Sequence, residues 1–178
     1  MSTHNDSFEE LDQYDYSDGE YLDTAASRYT SLIGSFLLNY SILEQDLNLA
    51  IADFVHDDSN ELGYVIVEKL SVSNKIDLFY KMYVRLESFK ETKNKNILDK
   101  IRGQLEGLNS FRNNLVHANW QSLTKEGYVR TRIVVDNQEG YVKFIRIQIT
   151  PIIIRKKIKE IVKLSEQIDD YKESAFNF

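Results

Sequence analysis

Between Thr24 and His56 the apolar residues Ile33, Phe36, Tyr40, Leu43, Leu47, Ala50 and Phe54 recur at steps of three and four. That spacing puts them on one side of an α-helix, and a helix with one long apolar stripe has to bury it against another element. The stripe commits the chain to helix packing and sets the frame for the rest. Asp57-Asp58-Ser59-Asn60 breaks the pattern, and Ser59 can cap a short helix over Asn60 to Leu70. Ser71 or Ser73 opens a third helix, with Ile76, Phe79, Tyr80, Tyr83 and Leu86 on one side, running to Phe89 before the polar stretch Lys90 to Asn96. A fourth runs from Ile97 on the stripe Ile97, Ile101, Leu105, Leu108, Phe111 and Leu115.

After Trp120 the pattern changes class. Tyr128 to Val135 and Tyr141 to Ile149 are rich in Val, Ile, Thr and aromatics and are separated by Asp136-Asn137-Gln138-Glu139-Gly140, which predicts a β-hairpin. Thr150-Pro151 is a strong helix start, because a capping hydroxyl precedes a residue whose missing N–H costs nothing at the first helical position. A last helix is expected to run to Tyr171. The predicted fold is mainly α: an antiparallel bundle of about five helices, with a β-hairpin over about 128–149 inserted before the last helix. No internal repeat is found.

With 178 residues, one proline and seven glycines, the chain has room for one domain with its own core and little low-complexity linker. No apolar run is long enough for a membrane span, and the N-terminus is acidic where a secretory signal is basic and then apolar, so a cytoplasmic protein without membrane contact is expected. The absence of cysteine removes disulfides, thiolate zinc sites and cysteine nucleophiles together. The net charge of -6 hides an uneven distribution. Residues 1–23 hold eight acids and no Lys or Arg, which leaves twenty acids against twenty-two bases from residue 24 onward. This acidic stretch has no helical period and few aliphatics, and it reads as a disordered tail ahead of a helical domain over 24–178. It can serve as a solubilising segment or as a mimic of a polyanion. The bases cluster late, at Arg130, Arg132, Lys143, Arg146, Arg155, Lys156, Lys157, Lys159 and Lys163, where a polyanion can bind.

The segment with the most chemistry is Arg112-Asn113-Asn114-Leu115-Val116-His117, at the C-terminal end of the fourth helix. RNA carries its own nucleophile in the 2′-OH, so cleavage needs a group that moves a proton near neutral pH and a cation that steadies the phosphorane charge. His117 supplies the first, and the Arg112 guanidinium is a fork matched to phosphate oxygens. Asn113, four residues before His117, shares its helix face and can orient the imidazole or hold a phosphate oxygen. Arg112 and His117 are five residues apart, which on an ideal helix is about 140° of rotation and about 7.5 Å of rise. One copy of the motif is therefore incomplete, and two copies meeting about a two-fold axis would surround one phosphate.

Five helices with an Arg-Asn-x-x-x-His segment ending a core helix and leading into Ala118-Asn119-Trp120 resemble the HEPN superfamily of prokaryotic RNases and toxin components. The resemblance covers roughly residues 24–172, and its specificity rests on Arg112, Asn113 and His117. It implies a metal-independent endoribonuclease that leaves a 2′,3′-cyclic phosphate and a 5′-OH. It further implies a site composed at a homodimer interface, and a setting in toxin–antitoxin systems or antiviral defence with a cognate inhibitor protein. Members of the superfamily also occur as catalytically silent modules that bind RNA or a nucleotide, or mediate protein association. Some carry a Tyr two residues after the His that a partner nucleotidyltransferase modifies; here that position is Asn119, which removes that route.

Glu44, beside Leu43 and Leu47 at the edge of the first helix's stripe, is a supporting candidate with Arg112 as its expected partner; the competing reading is an ordinary scaffold ion pair. Trp120 can stack on a base or belong to the core. Arg155, Lys156 and Lys159 are candidate RNA-backbone contacts or simply a wet helix face. For the motif itself, the plain alternative is a structural ion pair at Arg112 and a helix-dipole contact at His117. His4 and His56 are remote, and three histidines without cysteine give no metal-ligand pattern. No cofactor is implied, since the chain has no phosphate loop, no dinucleotide fingerprint and no Ser-His-Asp or paired-carboxylate arrangement.

Overall fold

In a computed structural model, residues 3–7, 19–55, 60–89, 95–135, 140 and 142–176 are described, with the backbone alone at 3–7, 19–22 and 176. In chain order the elements are strand β1 (Thr3–Ser7) and helices α1 (Gly19–Val55), α2 (Glu61–Glu68), α3 (Val72–Glu87) and α4 (Lys95–His117). A 3₁₀ turn (Trp120–Ser122), strands β2 (Tyr128–Val135) and β3 (Val142–Gln148), and helix α5 (Pro151–Phe176) follow. The fold is mainly helical, with five helices and an antiparallel hairpin before the last of them, as the periodicities predict.

The caps explain several boundaries. Ser71 accepts a hydrogen bond from the Asn74 amide at 3.3 Å and opens α3. Thr150 does the same for the Ile153 amide at 3.3 Å ahead of Pro151, the first residue of α5. The cap of α2 departs from expectation: Asn60 stands at the N-cap in a left-handed conformation without a side-chain cap bond, and Ser59 lies outside the described residues. Asn is one of the residue types that tolerates this region of backbone space, and its side chain is spent instead on Asp53, 3.0 Å away.

Within the acidic N-terminal segment, Thr3–Ser7 pairs antiparallel with β3, and α1 starts at Gly19, five residues before the apolar stripe suggests; residues 1–2 and 8–18 lie outside the described residues. The physical reason is that an edge strand recruits a neighbour through backbone hydrogen bonds, which need no apolar alternation in the added strand. The sheet order is thus β1-β3-β2. The hairpin turn at 136–139 lies outside the described residues.

The chain divides into two compact units, Met1–Phe36 with Arg112–Lys156, and Leu37–Phe111 with Lys157–Phe178. The first holds the sheet around the buried Val129, Phe144 and Ile149. Its hairpin carries a bulge between Arg130 and Arg132, where the Thr131 hydroxyl donates to the Ile145 carbonyl. The second is helical, with Leu43, Leu47, Ile51, Phe79, Tyr83, Leu98, Ile101, Leu108 and Leu164 in its core. There α2 lies so close to α1 that a Cβ on Gly63 would sit 2.3 Å from the Ala52 Cα. The same short helix buries only Gly63 and Val67, leaving Leu62, Val65 and Ile66 exposed.

Candidate functional site

The motif occupies the last turn and a half of α4, which remains helical through His117, its final residue. The apolar members of the stripe, Phe111 and Leu115, are buried, and this fixes the rotation of the helix. Asn113 and His117 are exposed and Arg112 is half-buried. Because the helix does not unwind before His117, the angular separation of Arg112 and His117 is that of a regular helix.

Hydrogen bonding distinguishes a structural arginine from an available one. Arg112 Nη1 donates to Asn113 Oδ1 at 3.1 Å, and no carboxylate among the described residues pairs with it. The His117 imidazole makes no hydrogen bond to a described residue, its backbone being part of the helix. Asn113 therefore steers the guanidinium without neutralising it. Val116, between them, is 41 % exposed.

Immediately downstream the chain is pinned. Trp120 Nε1 donates to the Leu115 carbonyl at 3.1 Å, satisfying one of the carbonyls that the end of a helix leaves without an intrahelical donor. Asn119 Oδ1 accepts from the Gln121 amide, and the Asn119 amide donates to the Arg130 carbonyl at 2.8 Å. Ser122, fully buried, donates its hydroxyl to the Asn119 carbonyl at 2.7 Å while accepting from the Arg130 amide at 2.8 Å. Tyr29 of α1 packs its ring against Trp120, centroids 5.3 Å apart and tilted by 52°, and its hydroxyl donates to the Ile149 carbonyl. Gly127, at φ +84°, closes the turn into β2, where a Cβ would lie 2.8 Å from Thr150 Cγ2. Tyr29 and Ser122 are the residues that sequence reasoning missed. Both act through contacts distant in sequence, and neither sits in a motif.

Glu44 is not the partner of Arg112. Its Oε1 receives Lys75 Nζ at 2.7 Å, and Lys75 is buried. Lys75 lies on the first turn of α3, and once buried there its ammonium demands a counter-charge, which Glu44 provides. Arg155, Lys156 and Lys159 are exposed on α5 as a contact with a polyanion requires, whereas two of the late bases are withdrawn. Arg146 is buried with its guanidinium donating to the Ser122 carbonyl, and Lys157 pairs with Glu160.

Among the described residues no cluster of three His, Asp or Glu side chains is placed to hold a metal ion, and no helix is long and apolar enough to cross a membrane. No protein-family model matches the chain, and neither a curated protein nor a solved structure is found to be similar to it.

Proposed function

We propose that the protein is an endoribonuclease of HEPN type, acting without a metal at a site composed by two copies of the chain. The observation that carries this reading is the state of the motif. An arginine held by a neutral amide, with no carboxylate partner among the described residues, sits one and a half turns from an exposed histidine whose ring bonds to no described residue. A structural ion pair would spend the charge on an acid, and among the described residues no acid takes it, which supports the reading. Arg112 is assigned to the non-bridging phosphate oxygens, where its charge stabilises the phosphorane. His117 is assigned to proton transfer, removing the 2′-OH proton or delivering one to the leaving 5′-oxygen. The phosphorus–5′-oxygen bond breaks as the 2′-oxygen–phosphorus bond forms, giving a 2′,3′-cyclic phosphate and a 5′-OH. With one phosphate and two jobs, a His and an Arg on different sides of one helix are best used when a second copy supplies the complement. The exposed Val116 suits a place near such an interface. The setting implied by the superfamily resemblance, toxin–antitoxin or antiviral defence with a cognate inhibitor, belongs to the same proposal.

The test is cleavage of end-labelled single-stranded RNA and tRNA with and without chelator, followed by mapping of the ends. His117→Ala is expected to lower the rate by about 10²–10⁴-fold, the usual worth of a general acid or base, with helicity unchanged. Mixing Arg112→Ala with His117→Ala should restore part of the activity, since a mixed dimer regains one Arg and one His in trans. No restoration contradicts the composite site, and loss of activity to chelator contradicts the metal-independent mechanism. A wild type that never cleaves RNA leaves a binding module.

A further inference from the structure

Beside the motif, within the first unit, lies a groove of about 390 Å³, large enough for a planar heterocycle. Tyr29 and Trp120 form its aromatic walls, Ile33 and Leu123 contribute aliphatic surface, and Asp23, Thr30 and Gln121 place polar groups on it. Tyr29 is 7 % exposed and forms the buried side; Trp120 is the more open ring. Both rings have their one polar atom committed elsewhere, Trp120 Nε1 to Leu115 and the Tyr29 hydroxyl to Ile149, so what they present to the groove is π-surface held in place on both sides. Trp120 is three residues past His117 and is tied back to the same helical turn.

We infer that this groove receives one unpaired nucleobase of the RNA next to the phosphate being cleaved, by stacking on Trp120, and that Asp23 favours bases carrying an exocyclic amino group. This rests on the ribonuclease reading above. A flat, uncharged π-system matches rigid aromatic walls, and stacking on an aromatic side chain tolerates any base. The polar groups set the rest. A carboxylate on the groove repels phosphate, which keeps the backbone outside with Arg112 and the base inside, and it accepts a hydrogen bond from an exocyclic amino group, where uracil and thymine carry the O4 carbonyl in that position and offer only the ring N3–H beside it.

Trp120 is the one tryptophan of the chain, so its fluorescence reports on this groove alone. The probes are single-stranded DNA pentanucleotides, which lack the 2′-OH nucleophile: all-cytosine, all-thymine and abasic, titrated at one ionic strength into the His117→Ala protein. The cytosine oligomer is expected to quench Trp120 saturably and to bind about tenfold or more tighter than the abasic one, with thymine between them. Ala26→Phe, on an exposed helical position that lines the groove, is expected to fill it and remove that advantage, and Asp23→Asn to close the gap between cytosine and thymine. Abasic binding as tight as cytosine binding, or unchanged cytosine affinity in Ala26→Phe at unchanged circular dichroism, overturns the inference. Equal affinity for cytosine and thymine in the parent protein overturns the role of Asp23. Cleavage of RNA by the wild type without base-dependent quenching removes the groove and leaves the nuclease. Base-dependent quenching without any cleavage does the reverse.

Discussion

At the scale of single residues, the partner of Glu44 is set by which α3 side chain is buried against it, and that side chain is Lys75. The side chains of Lys75 and Glu44 are 7 % and 32 % exposed, so removing Glu44 strands a buried ammonium. Glu44→Ala is expected to destabilise the fold by about 2 kcal/mol, below the ~3–5 kcal/mol of a fully buried pair because Glu44 keeps contact with water. Lys75→Met in the same protein should recover most of that loss. Urea denaturation measures the stability, and RNA cleavage well below the melting temperature should not change. A cleavage defect as deep as that of His117→Ala would put Glu44 back in the site.

Among the elements, the sequence carried the helices whose stripes are long and whose caps are conventional. α3 and α5 begin at the hydroxyls of Ser71 and Thr150, as their residue types imply. α2 is different, because its position is set by a missing side chain. In Gly63→Ala the added methyl collides with the Ala52 backbone, which cannot swing away as a flexible side chain could. The gain in helix propensity, about 1 kcal/mol, offsets only part of an overpacking cost at the upper end of the ~1–3 kcal/mol range, so a net loss of roughly 1–2 kcal/mol is expected. Gly107→Ala in α4 is the control: nothing lies within 4 Å of the new Cβ, and a stabilisation of about 0.5–1 kcal/mol is expected from the same propensity term. Urea midpoints of the two variants should move in opposite directions. Identical shifts would mean that the close approach of α2 to α1 carries no energetic weight.

For the molecule as a whole, the balance of charge and burial makes alkaline pH the vulnerable side of the second unit. Burial pushes the Tyr83 phenol well above its ordinary value near 10, and the Asp53 charge adds to the effect. Tyr171 is raised as well, by burial and then by Glu87. A phenol whose pKa is raised by folding holds its proton more tightly in the native state than in the unfolded chain. Its contribution to stability is therefore complete below pH ~10 and is lost as pH rises from there toward the folded value. Urea midpoints are expected to be flat through neutral pH and to fall above pH ~10. The decisive comparison is with Tyr83→Phe, which should flatten the slope at little cost at neutral pH. An unchanged slope would place the alkaline transition elsewhere. At this scale the sequence revealed the class of fold and the late cluster of bases. It did not reveal that Arg146 is buried, nor that Tyr29 meets Trp120, because both follow from packing between segments distant in the chain.

The pairing of β1 with β3 changes what the acidic N-terminus can be asked. Thr3–Ser7 covers the free flank of β3, opposite the flank taken by β2. A truncation that strips the acids strips this cover too, and it leaves a row of backbone donors and acceptors open to any other chain. A truncated protein that lost activity through self-association would resemble one that had lost an electrostatic regulator. Charge and cover are separable only if the first seven residues stay in place while the acids from Glu9 onward are exchanged for their amides, so that the N-terminus is treated as a clasp first and a polyanion second.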